Sequence, residues 1–188
     1  MTAGPAWGPL AWFAGTWEGD EGVDLAYSHA HQQPIETPYR ERMELKAFGP
    51  VANGIQTLYG LDYRTTAWRI GEDEPFHTEL GYWLWDAADG EVMRCFMVPR
   101  GAVVLAGGPA AEGDRSITTR AAVGEVTYGI LSNPYLDRAA RTVGYEVTVS
   151  LRDDGRLEYA STTTIEHGSW HEPILHTDRN VLRPVDAR

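Results

Sequence analysis

The sequence predicts an all-β protein: a single closed antiparallel up-and-down β-barrel of about ten strands, preceded by a short N-terminal helical turn. Three observations carry that expectation. Apolar and polar residues alternate with period two through much of the chain, as in strands that turn one face to a core. The alternating runs are short, evenly spaced and separated by turn chemistry, with few segments of 3.6-residue period. Closure follows because an open antiparallel sheet of this size would leave two exposed edges, which a barrel removes.

In chain order, the first element is the helical candidate Pro9-Leu10-Ala11-Trp12-Phe13-Ala14, stopped by Gly15 and suited to capping one barrel end. The polar, proline-bearing stretch 20–38 has no clear period and reads as a long loop near a cavity mouth. Arg40, Arg42, Glu44 and Lys46 then alternate with Glu41, Met43, Leu45 and Ala47, one face wet and one dry. Strands are expected next at 54–63 and 66–70. In FHTELGYWLWD, Phe76, Thr78, Leu80, Tyr82 and Leu84 share one face, and His77, Glu79, Gly81, Trp83 and Trp85 share the other. Both faces carry aromatics; Trp83 or Trp85 on the outside would favour a homodimer through that sheet face. Further strands are expected at 91–98, 102–106, 116–122, 125–131, 142–151, 156–166 and 172–182. Gly107-Gly108-Pro109, Asn133-Pro134 and Asp153-Asp154-Gly155 mark turns between them.

At 188 residues, 43% of them apolar, the chain suits one domain over 1–188 with an ordered core over about 7–185. Its 27 acidic against 16 basic residues give a net charge of -11, which repels phosphate backbones and excludes nucleic acid as a partner. No apolar run approaches the ~20 residues of a spanning helix, and the start MTAGPAWGPLAWFAGTW lacks the basic region of a signal peptide. The expectation is a cytoplasmic protein without membrane insertion. The lone cysteine, Cys95 in EVMRCFMV, reads as a buried structural thiol. No P-loop, Ser-His-Asp order or paired catalytic carboxylates stand out, which excludes an ordinary kinase or hydrolase.

PLAWFAGTWEG near the start, FHTELGYW in the middle and a terminal strand ending NVLRPV resemble the nitrobindin family, haem-binding β-barrels of the lipocalin and fatty-acid-binding-protein type. The resemblance spans nearly the whole chain. It implies a ten-strand barrel that holds ferric haem b in an open pocket, reacts with nitric oxide and isomerises peroxynitrite to nitrate. The family's early motif, GxWxGxG, is matched by Gly15-Thr16-Trp17-Glu18-Gly19, while Glu21 stands where the last glycine would be and Gly22 follows it. Physically, Trp17 suits a plug at the barrel end, with Gly15 and Gly19 allowing close backbone approach.

The resemblance also implies an axial histidine in the last strand, near the start of a pattern close to H-L-x-A-x-L-x-R. With Val181-Leu182 laid on that pattern's terminal hydrophobic pair, Thr177 and not His176 takes the ligand position. Side chains alternate across a strand, so one of the two points in and the other out. With Thr177 inward no imidazole meets the iron, and a threonine hydroxyl is a poor haem ligand. The expectation is therefore a nitrobindin-like barrel without the axial histidine and without a cofactor, which binds a small apolar or amphipathic molecule without haem-iron catalysis. A β-bulge near Pro173 would bring His176 inward as the iron ligand and give instead a haem b peroxynitrite isomerase. A fatty-acid or lipid carrier is a third reading, with Arg94 as its candidate buried cation.

His77 lies in the H-x-E-x-G-Y motif that borders the family's pocket, with Glu79 on its strand face. The pair either binds a polar ligand group or proton, or is a buried bonded pair that orders the barrel. Val103, Leu105, Tyr128 and Ile130, or their neighbours, are candidates for the interior lining. His29, His31, His167 and His171 do not complete a zinc set, since no Cys or carboxylate joins them at ligand spacing. The candidate ligand-binding residues are thus His77, Glu79, His176 and Thr177, beside the motif residues Gly15, Trp17 and Gly19.

Overall fold

The computed structural model describes residues 3–28, 30–167 and 172–185. A 3-10 helix over Pro5–Leu10 leads into β1 (Gly15–Ser28), β2 (Gln33–Asn53), β3 (Gln56–Arg69), β4 (His77–Asp86), β5 (Glu91–Val98), β6 (Ala102–Pro109), β7 (Ser116–Ala122) and β8 (Ile130–Ser132). A short helix α1 (Pro134–Ala139) precedes β9 (Arg141–Leu151), β10 (Leu157–Glu166) and β11 (Ile174–Pro184). Antiparallel pairing runs β1 to β2 and onward to β6, across to β7, then β9, β10 and β11, which returns to β1. The ring therefore closes, as the alternation and edge arguments predict. The extra strand β8 pairs with the part of β6 that β7 does not reach.

Several boundaries differ from the sequence expectation. The stretch 20–38 is not a loop: β1 and β2 form a long hairpin through it, paired from Gly22 with Tyr39 to Ser28 with Gln33. A register shift between Gly19 and Gly22 interrupts the alternation that would have revealed the strand. The prolines are tolerated because β3 begins to pair with β2 only at Tyr39, so Pro34 and Pro38 lie where β2 has a single partner. The runs 54–63 and 66–70 are one strand, β3. Residues 125–129 turn instead of extending, with Tyr128 at positive φ, and only Ile130–Ser132 is strand. Asn133, expected in a turn, caps α1: its side-chain oxygen accepts from the backbone N–H of Tyr135 at 2.9 Å and Leu136 at 3.0 Å. The N-terminal helix starts earlier than expected and ends at Leu10, and the chain straightens into β1 at Gly15, φ 141°. No helix among the described residues is long and apolar enough to cross a membrane.

One barrel end is filled. Leu10, Phe13, Leu61, Leu157 and Leu182 are fully buried there with Trp7, Trp17, Trp83 and Trp85. Two of the indoles pair their N–H groups with backbone: Trp7 donates to the Gly60 carbonyl at 3.0 Å and Trp17 to that of Phe13 at 2.9 Å, whereas the buried Trp83 N–H has no partner among the described residues. Trp83 and Trp85 thus point inward, so the outward-tryptophan argument for a dimer does not hold. Gly19 lets β1 pass β11 closely, since a Cβ there would stand 2.4 Å from the Val181 carbonyl oxygen. Gly19→Ala is expected to lower stability by about 1–3 kcal/mol, because the obstacle is backbone; an unchanged thermal melt would contradict this packing.

Candidate functional site

The end opposite the tryptophan plug opens into a cavity of about 580 Å3. Its rim is largely apolar, with Pro75, Phe76, Pro99, Leu136 and Ile165, and its walls carry two polar groups of side chains. The first comes from β3, β4, β5 and β9. Arg94, buried beside Trp83 near the plug, donates to Glu79 at 2.6 Å, to Tyr63 at 2.9 Å and to Tyr145. Tyr63 donates to Glu79 at 2.7 Å, and His77 Nε2 lies 3.3 Å from the other Glu79 oxygen. The Arg94 guanidinium also sits 4.3 Å from the Phe96 ring centroid. Burial alone would push the Glu79 carboxyl up, but Arg94, His77 and Tyr63 outweigh it and hold it down at about 2. For His77, burial opposes the charged form, and the Glu79 hydrogen bond and charge overcome it to raise its pKa. Removing Arg94 would leave that buried carboxylate with only His77 as a counter-charge; Arg94→Met is expected to cost about 3–5 kcal/mol, read by denaturant unfolding.

The second group joins β2, β3, β10 and β11. Tyr39 contacts Asp178 and, at 2.8 Å, the Tyr159 hydroxyl; Tyr159 donates to Glu41 at 2.7 Å. Asn180 and Thr65 donate to the two Glu41 oxygens at 3.0 and 2.5 Å. The run Asp178–Tyr39–Tyr159–Glu41 has three oxygen–oxygen contacts, and its two tyrosines bring two protons. Each contact needs one, so one of the two carboxyls carries the third. The electrostatics agree: burial pushes Asp178 up to about 7 against the Tyr39 hydrogen bond, with Glu41 adding to the rise, and burial raises Glu41 too. A carboxyl raised by folding contributes stability that is fully present below its unfolded value of 3.8 and is lost as pH rises through the folded value near 7. Asp178→Asn supplies the same donor without titrating. Its melting temperature is expected to match wild type near pH 4 and to exceed it increasingly toward pH 8; a gap that stays constant with pH would contradict the shared proton.

His176 lies on β11 two residues from Asp178, lines the cavity, and contacts Asp24 of β1 through Nε2. Thr177 pairs with Leu25 and Thr162, does not line the cavity, and takes the outer wall. The expected orientation is therefore reversed, and with no break in the pairing to β10, which is continuous from Ile174 to Leu182; the irregularity on the β1 side lies between Glu18 and Val23. The cavity brings His77, Glu79 and His176 to one space, while Thr177 stays outside it. Gly15, Trp17 and Gly19 belong to the plugged end. Val103 and Leu105 face outward, with Val104 and Ala106 as the buried neighbours, and Cys95 is half-buried on the outer face instead of in the core. His31 bonds Ser28 at 3.0 Å; His29 and His171 lie outside the described residues. Sequence reasoning missed Asp24, Tyr39, Glu41, Asp178 and Asn180. The signal was present in Glu41, which shares the dry face of its strand with Met43 and Leu45.

Residues 6–183 match the family described as the THAP4-like, heme-binding beta-barrel domain. The chain belongs to this family, the nitrobindin barrels. Among solved structures it is similar to Rv2717c from M. tuberculosis, at 19% identity and a TM-score of 0.67, with 98% of this chain and 99% of that one covered, a likeness of fold. No curated protein matches it in sequence.

Proposed function

We propose that this barrel binds haem b in its cavity with His176 as the axial iron ligand. The observation that carries the reading is the inward register of His176, which removes the reason for expecting a haem-free member. The donor chemistry fits. A carboxylate on one nitrogen of an imidazole fixes its tautomer and orientation and leaves the other nitrogen for a metal, and Asp24 occupies Nε2. A cavity of about 580 Å3 falls in the range that takes cofactor-sized ligands. Phe76, Pro99, Leu136 and Ile165 give a planar macrocycle apolar surface, and Arg100, exposed on the rim, suits its carboxylate edge. Ferric haem would supply an iron centre for nitric oxide or peroxynitrite, the chemistry of an isomerase. The chain's own part is to orient the imidazole through Asp24 and to keep one exchangeable proton on the Asp178–Glu41 run.

A fatty-acid carrier has weaker support. Such a barrel needs a free buried cation, and Arg94 already serves Glu79, Tyr63 and Tyr145. Asp24, Glu41, Glu79 and Asp178 would meet a ligand carboxylate with like charge or neutral acid.

Titration with haemin, followed through the Soret band, tests the haem reading. Wild type is expected to give a sharp, saturable band at one equivalent; His176→Ala loses it, Asp24→Asn weakens affinity by about 10- to 100-fold, and Thr177→Ala changes nothing. Unsaturable uptake by wild type, or equal binding by His176→Ala, sinks the reading and leaves a barrel for a haem-free apolar or amphipathic ligand.

A further inference from the structure

Two histidines line the cavity, each in contact with a carboxylate, and haem ligation uses one of them. His77 opens β4 and His176 lies near the start of β11; the ring order puts four strand steps between them, so they stand on facing walls near the open end. Glu79 takes Nε2 of His77 at 3.3 Å and is itself anchored. Its other oxygen receives Arg94 at 2.6 Å and Tyr63 at 2.7 Å, and the guanidinium is held in turn by Tyr145 and the Phe96 ring. Nδ1 of His77 has no partner among the described residues. A pair that only ordered the barrel would use both ring nitrogens inside the wall, whereas this one keeps a nitrogen in reserve on a part-exposed ring that lines the cavity.

The charges point the same way. Arg94 cancels Glu79, so a protonated His77 leaves this wall one positive charge in a chain of net charge -11. Charged and titratable groups face the ring from each neighbouring element: Glu79 on its own strand, Tyr63 of β3, Tyr39 and Glu41 of β2, Arg94 of β5 and Asp178 of β11. Burial opposes the charged ring; Glu79 first, then Asp178 and Glu41, overcome it.

We propose that His77 binds a small monovalent oxyanion in the cavity through its free ring N–H, with Glu79 and Arg94 as positioning residues. A single imidazolium donor matches a single negative charge. Asp24 and Asp178 on the facing wall oppose a second charge, which selects against dianions. Glu79 fixes the ring and keeps the proton on it, and Arg94 keeps Glu79 ionised and in place. The binding needs no haem; its bearing on iron chemistry rests on the haem reading.

Nitrite and nitrate titrated into the haem-free protein, followed through the histidine ring resonances by NMR, test it. His77→Gln assigns the signal, and circular dichroism confirms folding. Wild type is expected to show a saturable shift at His77, about 10-fold tighter near pH 6 than near pH 9, because the ring is charged below its raised pKa and loses that charge as pH rises through it. By linkage the bound anion raises the His77 pKa by about one unit. Glu79→Gln lowers the pH at which binding is lost, which a purely structural role for Glu79 would not do; an unchanged midpoint overturns the positioning role. Where Glu79→Gln does not fold, the wild-type titration decides alone. A His77 ring that titrates without responding to either anion overturns the inference, and so does a response shared equally with the other histidines, which marks an adventitious ion only. None of these results depends on the Soret titration of His176, so failure here and failure of haem binding are told apart.

Discussion

The register of β11 between β1 and β10 governs what the cavity contains. Pairing Thr177 with Leu25 and Thr162 puts it on the outer wall and sends His176, Asp178, Asn180 and Leu182 inward together. A slip of one residue would turn the whole set over, forcing Thr177, Arg179 and Arg183 into the barrel and driving Leu182, fully buried in the plug, into water. Two arginines on one parity and a core leucine on the other settle the choice energetically. The imidazole faces inward because its strand neighbours leave it no alternative.

Once the barrel closes, its polar interior has to satisfy itself or hold a ligand that does so. The two halves of that interior use different means. Around Arg94 a buried ion pair is completed by two tyrosine hydroxyls and a stack of rings, giving a nearly neutral assembly. Around Glu41 no cation among the described residues joins the hydrogen bonds; carboxyls and phenols bond one another directly. In the first group Glu79 keeps its charge over the ordinary pH range, since it is held so low, while Asp178 in the second titrates within it. One cavity thus combines a wall whose carboxylate is fixed with one whose carboxyl titrates.

Much of the fold was legible in the sequence. Alternation and turn residues give the strand number and closure, and the N-terminal aromatic segment announces the plug. What escaped has identifiable causes. The long β1–β2 hairpin was hidden by the irregularity at Gly19–Gly22 and by prolines that are harmless beside a missing neighbour. Anchoring the last strand on Val181-Leu182 gives it the wrong orientation, although the arginines at 179 and 183 already give its parity. Asp178 looks like a surface residue, and Glu41 like a lone acid on a dry face, until closure brings β2 against β10 and β11 across the barrel interior. His77 and Glu79 could be paired from their spacing, but Arg94 as their counter-charge needed tertiary contacts from β5.

The tryptophan-filled end and the open end divide the labour of the molecule. Leu10, Phe13, Leu61, Leu157 and Leu182 hold the ring shut at one pole, whereas the rim at the other is made of small contacts from turns and from α1. Sequence drift at the rim therefore meets little resistance from folding, and drift at the plug meets a great deal. Such a barrel can exchange its specificity over generations while its architecture stands still, which is how one scaffold comes to serve as a vessel for different contents.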